Sequence, residues 1–236
     1  MYPDPNSKSQ ALYNRALGSL PGGNSRTTVF MKPYPIYAAR GEGCRVADLD
    51  GNVFIDCINN FASLIHGHAH PKLVKAATDQ MMLGSAFGLP TEAEVDLAEL
   101  LASRLGSVDQ VRFANSGTEA VMMALKAARA FTGRPKIAKC EGAYHGSYDY
   151  AEVSLDPTPE AWGRNAPVSV AYAKGTPDNV LADVLTIPFN DPDAAVSLIR
   201  EHGPELACVL VDPMPNRAGL VPADKAYIEA LRAVTR

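Results

Sequence analysis

Residues 111–120 read VRFANSGTEA, and this stretch decides the fold of the chain. The pattern predicts a strand over 111–114, a tight polar turn and then a helix. The helix is indicated by small apolar residues at helical spacing, namely Ala120, Met123, Ala124, Ala127 and Ala128. Lys126 and Arg129 are predicted to turn outward, and Ser116 or Thr118 can cap the first turn.

The turn is typical of a phosphate site. The first N–H groups of a helix lack intrahelical partners, and the helix dipole places positive charge beside them. Gly117 allows the backbone to come close to a ligand. Ser116, Gly117 and Thr118 are therefore candidate binding residues for a phosphate. An ordinary capped turn without a ligand explains the same local features equally well.

Strands alternate with helices after this turn, which predicts an α/β fold with a mostly parallel sheet, helices on both faces and ligands at the carboxyl ends of the strands. A helix over 8–20 and a small antiparallel sheet over 34–58 precede it, with a hairpin at Asp50-Gly51. We expect a first segment over 1–66 and a large domain over 67–236. Residues 151–182 are predicted to form an irregular surface excursion.

Composition excludes several classes of protein. The 236 residues carry a net charge of −4 and no basic stripe, which makes nucleic acid an unexpected partner. No apolar run approaches the ~18 residues of a membrane span, and no secretory signal is visible. The scattered cysteines Cys57, Cys140 and Cys208 are predicted to be reduced core thiols of a cytoplasmic protein, with Cys44 also outside any CxxC spacing.

Two other ligand classes lack support. No G-x-G-x-x-G or G-x-x-x-x-G-K-[ST] fingerprint occurs, so dinucleotide and P-loop sites are not expected. His66, His68 and His70 alternate and could share one face of a strand as metal ligands. No carboxylate or cysteine lies near them in sequence, and Pro71 begins a predicted helix, so we expect no metal site there.

A second motif follows the phosphate turn: Glu141-Gly142-Ala143-Tyr144-His145-Gly146. Taken with the Ser-Gly-Thr-Glu-Ala turn, it resembles the class III aminotransferases, which are fold-type I enzymes that use pyridoxal 5'-phosphate. The branch is similar to glutamate-1-semialdehyde aminomutase and the β-amino-acid aminotransferases. Further matching stretches lie over 21–25, 48–52, 67–71 and 87–94, and the resemblance runs from about residue 11 to residue 236.

The resemblance implies a three-layer α/β/α large domain, here incomplete, and a cofactor site. The phosphate cradle would be formed by Gly117 and Thr118, and the ring-stacking aromatic would be Tyr144, whose alternative is an ordinary core tyrosine. His145 would support the same loop. Asp212 falls where the family usually has a glutamate of the ring network, and it is one methylene shorter.

The resemblance also implies a substrate pocket in the first segment. Arg26 would grip the substrate carboxylate, since a guanidinium binds a carboxylate through two parallel hydrogen bonds. Phe61 falls on a position that is usually aromatic in the pocket. A surface arginine and a core phenylalanine are the alternatives.

The family's Schiff-base lysine and its pyridine-nitrogen aspartate would both lie beyond residue 236. We therefore expect no catalytic lysine in this chain, which would be the N-terminal half of a homodimeric enzyme and inactive alone. The implied reaction is amino-group transfer on a small amino or keto carboxylic acid, by a transaminase or an aminomutase. The alternative is a naturally short, non-catalytic protein that binds the cofactor phosphate or acts as a dimer-interaction module.

Overall fold

The computed structural model describes residues 2–162 and 166–236. The chain divides into two compact units, the first ending at Asp96 and the second running over Leu97–Arg236. The predicted segment boundary at residues 66 and 67 remains a proposal.

The first unit carries an antiparallel sheet in the order β1 (Ala38–Glu42), β2 (Arg45–Asp48) and β3 (Val53–Ile55). The predicted hairpin at Asp50-Gly51 joins β2 to β3. Its geometry is fixed by Asp48 Oδ1, which accepts the N–H groups of Asp50 and Asn52 at 2.9 and 2.8 Å. Gly51 supplies the positive φ that such a turn requires.

The first unit also contains the helices Lys8–Ala16 and Pro71–Leu83 and a single turn of left-handed residues over Asn59–Ala62. A further helix, Glu92–Arg104, crosses the unit boundary. The first helix ends four residues earlier than predicted. Gly18 has a low helix propensity, and Pro21 disfavours helical backbone at the residue before it, so residues 17–20 form turns.

The second unit contains a parallel sheet in the order β5 (Val184–Ile187), β4 (Lys136–Cys140) and β6 (Leu206–Leu210). Its helices are Gly117–Thr132, Asp149–Glu152, Asp178–Ala182, Pro192–His202 and Lys225–Val234. Cys140 of β4 pairs with Ile187 of β5, and Lys139 pairs with Leu210 of β6. The carboxyl ends of all three strands are therefore level.

The two faces of this sheet build two apolar cores, because successive strand residues point to opposite sides. Ala138 and Cys140 pack with the helices Pro192–His202 and Lys225–Val234. Ile137 packs on the other side with Leu125 of the helix Gly117–Thr132. Helices on both faces of a parallel sheet confirm the predicted three-layer α/β/α class, and the small antiparallel sheet is confirmed as well.

The predicted strand over 111–114 is not present. A strand requires hydrogen bonds to a neighbouring strand, and in the described part of the chain the parallel sheet contains only β5, β4 and β6. Residues 111–114 therefore form no ladder and lead directly into the turn before the helix Gly117–Thr132.

The predicted helix is present over Gly117–Thr132, but the apolar residues that indicated it do not form its buried face. Leu125 is its buried residue, whereas Met123 is 41% exposed. Leu125 faces the sheet, so the face through Ala120 and Ala124 turns away from it. Lys126 is exposed, as predicted. Arg129 is not turned outward, because its Nε donates to the carbonyl of Pro135 and its guanidinium lies 4.0 Å from the centre of a tyrosine ring.

The stretch 151–182 is only partly a surface excursion, and residues 163–165 of it lie outside the described residues. Ala151, Val153 and Leu155 are buried, and Ser154 is 1% exposed. The Ser154 hydroxyl donates to the carbonyl of Val168 and accepts from the hydroxyl of Thr186. These polar partners explain the burial of a segment that is poor in large apolar residues.

The cysteines divide by unit. Cys140 is buried and Cys208 half-buried, as predicted, but Cys57 is exposed, and so is Cys44. Cys57 follows β3, whose residues are themselves exposed in the small sheet. No helix among residues 2–162 and 166–236 is long and apolar enough to span a membrane.

Candidate functional site

The phosphate turn is capped by Ser116, which decides between the two predicted caps. Ser116 has an extended backbone, and its Oγ accepts the N–H of Glu119 at 3.2 Å, while its carbonyl accepts the N–H of Ala120. The N–H groups of Gly117 and Thr118 donate to no protein atom in the described part of the chain. They are left as donors at the positive end of a 16-residue helix.

Gly117 faces open space. A Cβ built at this position meets no atom within 4 Å, so packing does not explain the glycine. The backbone at Gly117 is therefore accessible, and its N–H remains available to an anion.

Thr118 joins the turn to the second motif. Its Oγ1 accepts the backbone N–H of Ser147 at 3.0 Å. Gly146 lies against the same residue with a φ of +91°, and a Cβ on it would come within 2.5 Å of Thr118 Oγ1 and 2.7 Å of its Cα. Only glycine fits this contact. The hydroxyl of Thr118 still has its own proton to donate to a ligand.

Tyr144 lies on the loop after β4, just before the residues Gly146 and Ser147 that contact Thr118. Its neighbour Ala143 is buried, whereas Tyr144 itself is 45% exposed. The start of the loop is held by Gly142, whose N–H donates to the carbonyl of Ser154 at 2.8 Å. The structure thus brings Tyr144 onto the same loop that contacts Thr118, with an exposed aromatic ring against which a flat ligand can pack.

His145 follows on this loop and is mostly enclosed. Burial, together with the nearby charge of Lys139, lowers its pKa to about 4, and Asp212 acts in the opposite direction. His145 is therefore neutral at pH 7. Its buried Nε2 has no protein partner in the described residues, and the same is true of Glu141 Oε1. Two unpaired polar atoms in one loop are consistent with a ligand that completes them.

Asp212 follows the end of β6, level with the loop. Its Oδ1 accepts the backbone N–H of Met214 at 2.9 Å, which leaves its second oxygen free of that bond. Its charge acts on both His145 and Cys140. Asp212 therefore lies close enough to the loop that carries Tyr144 for its charge to act on His145.

The burial of Lys139 was not predicted from the sequence. Lys139 is the penultimate residue of β4 and is fully buried. Its Nζ donates to the carbonyls of Val153 and Cys140 at 2.6 and 3.1 Å. Burial lowers its pKa to about 8, although Cys140 and Glu141 act to raise it. The one feature of the sequence that could have indicated this burial was the position of a lysine between the apolar residues Ala138 and Cys140.

The first unit brings Arg26 and Phe61 together. Arg26 Nη1 donates to Asn60 Oδ1 at 2.7 Å, and the guanidinium lies 5.9 Å from the centre of the Phe61 ring. Both residues are exposed, so Phe61 is not a core phenylalanine, whereas Arg26 is a surface arginine whose guanidinium is held by Asn60. No individual role had been predicted for Asn60.

The histidines of the first unit do not form a metal site with a third ligand. His68 Nε2 lies 2.7 Å from Asp56 Oδ2, so a carboxylate is close in space although none is close in sequence. Among residues 2–162 and 166–236, no group of three or more His, Cys, Asp or Glu side chains is placed to hold a metal ion. His70 precedes the helix Pro71–Leu83, as predicted.

The donors and the exposed ring of the second unit fit two parts of pyridoxal phosphate. Gly117 and Thr118 can hold its phosphate, and Tyr144 can cover its ring. Two lysines near the loop are engaged elsewhere, since Lys139 is enclosed and Lys136 forms an ion pair with Glu205.

Comparison with known proteins identifies relatives over nearly the whole chain. The family described as "Aminotransferase class-III" matches residues 28–236. The glutamate-1-semialdehyde 2,1-aminomutase of Methanothermobacter thermautotrophicus is 42% identical over 229 residues, which cover 97% of this chain and 53% of that protein.

Solved structures are also similar to this chain over nearly its whole length. An omega-transaminase from Sphaerobacter thermophilus is 53% identical with a TM-score of 0.96, covering 100% of this chain and 54% of that one. A transaminase solved with PLP bound is 50% identical with a TM-score of 0.90, covering 96% of this chain and 52% of that one. The chain thus spans about half the length of the relatives it matches.

Proposed function

This chain belongs to the class III aminotransferases, a family that uses pyridoxal phosphate, and from that premise we propose that the protein moves an amino group to or from a small amino or keto carboxylic acid as a transaminase. The observation that carries the proposal is the direct contact of the phosphate turn with the tyrosine loop. The N–H of Ser147 donates to Thr118 Oγ1, and Gly146 packs against the same threonine.

In this proposal the turn binds the cofactor phosphate. The N–H groups of Gly117 and Thr118 donate to it, and the dipole of the helix Gly117–Thr132 stabilises its negative charge. The Thr118 hydroxyl adds a donor that is oriented by Ser147. Ser116 contributes indirectly, since its cap fixes the backbone of the turn.

The loop after β4 holds the ring. Tyr144 covers one face of the cofactor, which supplies an electron sink for the amino transfer. His145 is neutral at pH 7 and contributes hydrogen bonding without charge. Asp212 Oδ1 accepts the N–H of Met214, and its second oxygen would be the group available to the ring network.

Arg26 binds the substrate carboxylate. One guanidinium nitrogen is held by Asn60, and the remaining donors can form a bidentate pair with a carboxylate. Phe61 supports the guanidinium through its ring face and offers apolar contact to the substrate side chain.

Transaminase is favoured over aminomutase by the degree of similarity. The omega-transaminase is 53% identical, whereas the aminomutase is 42% identical. The two reactions differ in stoichiometry, because a transaminase needs a keto-acid acceptor and an aminomutase isomerises a single substrate. The test is to supply an amino acid to the full-length gene product with and without a keto acid. Turnover that persists without the acceptor would contradict the transaminase assignment.

We propose further that the working enzyme is a homodimer of a longer protein of which this chain is the N-terminal half. The half-length coverage of the relatives supports the greater length, and the resemblance to the family implies the homodimer. The alternative is a short, non-catalytic protein. The intact mass of the natural gene product separates them: a mass near 25.2 kDa favours the alternative, and about twice that value favours the enzyme.

A further inference from the structure

Asn59–Ala62 forms a turn with unusual backbone. All four residues have positive φ angles, of +51°, +47°, +57° and +62°, and none of them is glycine. Residues with side chains adopt this left-handed region only at an energetic cost. Such a turn persists only if contacts with surrounding residues stabilise it.

Asp56 holds the entrance of this turn. Its Oδ1 accepts the N–H groups of Ile58 and Asn59 at 3.0 and 2.8 Å, and its Oδ2 lies 2.7 Å from His68 Nε2. The bond from Asn59 and then the bond from His68 lower the pKa of Asp56. The carboxylate is thus charged at neutral pH and uses both oxygens.

His68 is itself fixed to the hairpin that joins β1 and β2. Its backbone N–H donates to the carbonyl of Gly43 at 2.8 Å, and its carbonyl accepts the N–H of Gly43 at 2.9 Å. The imidazole lies against Gly41, where an added Cβ would come within 2.6 Å of His68 Cγ. Gly41 and the backbone bonds to Gly43 therefore fix the position of the His68 imidazole, which in turn orients the Asp56 carboxylate.

The turn places two groups on Arg26. Asn60 Oδ1 accepts from Arg26 Nη1 at 2.7 Å, and the Phe61 ring lies beneath the guanidinium. Asn60 is oriented in turn by its Nδ2, which donates to Ser63 Oγ at 2.8 Å. A chain of contacts thus runs from the hairpin through His68 and Asp56 to the turn and the guanidinium.

We propose that Asp56 and His68 are positioning residues, which set the turn Asn59–Ala62 so that Arg26 is preorganised for the substrate carboxylate. The inference rests on the proposed function of Arg26. Neither residue touches substrate in this proposal. Their effect is on the affinity for the carboxylate and not on the amino transfer itself.

The kinetic test uses the full-length gene product and two substrates, an amino acid and an amine that lacks the carboxylate. We expect Asp56→Ala and His68→Ala to raise KM for the amino acid about tenfold or more, with kcat within about twofold and the amine unaffected. His68→Gln can restore a donor toward Asp56 and should recover most of the loss. Gly41→Ala should displace the His68 imidazole while leaving Asp56 and His68 themselves unchanged. It should therefore raise KM for the amino acid as His68→Ala does.

The matched control is Asp50→Ala. Asp50 also accepts a backbone N–H, that of Lys8, and a side-chain donor, the Ser7 hydroxyl, within the same unit. It has no contact with Arg26, so its loss should leave the ratio of the two KM values unchanged. Equal losses for both substrates in Asp56→Ala, or no loss at all, would overturn the proposal.

A second measurement does not depend on activity. Amide hydrogen exchange of the peptide over 58–63 should become about tenfold faster in His68→Ala and Asp56→Ala and stay unchanged in Asp50→Ala. If the unmodified protein shows no turnover, the proposed function fails, and exchange alone decides whether Asp56 and His68 hold the turn Asn59–Ala62. Unaltered exchange in both variants would refute that role even if the enzyme is active.

Discussion

The backbone N–H of Ser147 donates to Thr118 Oγ1 at 3.0 Å, across 29 positions of sequence. This bond joins the first turn of the helix Gly117–Thr132 to the loop that carries Tyr144. Two stretches that suggest separate halves of a cofactor site are therefore a single structural unit.

The first prediction concerns the anion. Phosphate or sulfate should bind at Gly117 and Thr118, and Thr118→Val should weaken pyridoxal phosphate binding by about 1–3 kcal/mol, because one donor is lost and Ser147 loses its acceptor. Calorimetric titration measures the effect. Thr132→Val is the control, since that hydroxyl bonds the carbonyl of Ala128 at the far end of the helix. Equal losses in both variants would argue against a phosphate site.

The second prediction concerns Gly146. Gly146→Ala should abolish cofactor binding and lower the free energy of unfolding by about 2 kcal/mol or more, because backbone strain adds to the clash with Thr118. Gly175→Ala is the matched control. Gly175 has nearly the same φ, +88°, but a Cβ there meets nothing within 4 Å. A loss of equal size in both variants would show that backbone strain alone, without the clash with Thr118, causes the loss of stability.

The third prediction concerns Arg26. Arg26→Ala should cost amino acid substrates about 2–4 kcal/mol of binding and leave amines without a carboxylate unaffected, since only the former pair with the guanidinium. Steady-state KM values for the two substrate classes measure it. Arg40→Ala removes another exposed arginine of the same unit, one paired with Glu42, and should have no effect. A general loss in Arg26→Ala would indicate a folding role.

The fourth prediction concerns Lys139 and pH. The folded-state pKa of about 8 lies below the ordinary value of 10.5, so the unfolded chain binds more protons between these values. The Lys139 contribution to stability is therefore unfavourable below pH 8, and it improves as pH rises to about 10.5. Over pH 7–10, the unfolding free energy of the parent protein minus that of Lys139→Met should rise by about 2–3 kcal/mol.

The difference between the two proteins is needed because Cys140 acts the other way. Burial raises the pKa of its thiol, so its contribution falls at high pH. Urea denaturation at several pH values provides the measurement. A difference that stays constant over the range would mean that Lys139 is not buried as a titrating group.

The fifth prediction is that the 236-residue chain alone does not catalyse transamination. The reaction needs a lysine amine that can reach the cofactor aldehyde and then move a proton. Lys139 cannot serve, because its Nζ is enclosed between the carbonyls of Cys140 and Val153. Borohydride reduction with cofactor, followed by peptide mapping, should label no lysine stoichiometrically. One fully labelled lysine together with turnover of an amino acid would refute the prediction.

Local chemistry was sufficient to predict much of the second unit. The start of the helix after the polar turn and the alternation of strands with helices follow from neighbours in sequence, although the structure was needed to choose Ser116 over Thr118 as the cap. Contacts between distant residues were not predictable in this way. The partner of His68 is Asp56, 12 positions away, and Lys139 is buried against Val153, 14 positions away. Helical spacing alone could not show that Leu125 faces the sheet instead of Ala124.

The central place of β4 in its sheet has a consequence for synthesis. Ile137 pairs with Val184 on one side and with Cys208 on the other, which are 47 and 71 positions later in the chain. At the usual ribosomal speed of ~5–20 residues per second, β4 waits about 4–14 s for its second partner. During that time the strand has open edges that can pair with the wrong chain. Lys139, still solvated and charged at this stage, interrupts the apolar run of β4, and we expect it to reduce mispairing on the ribosome until β6 emerges.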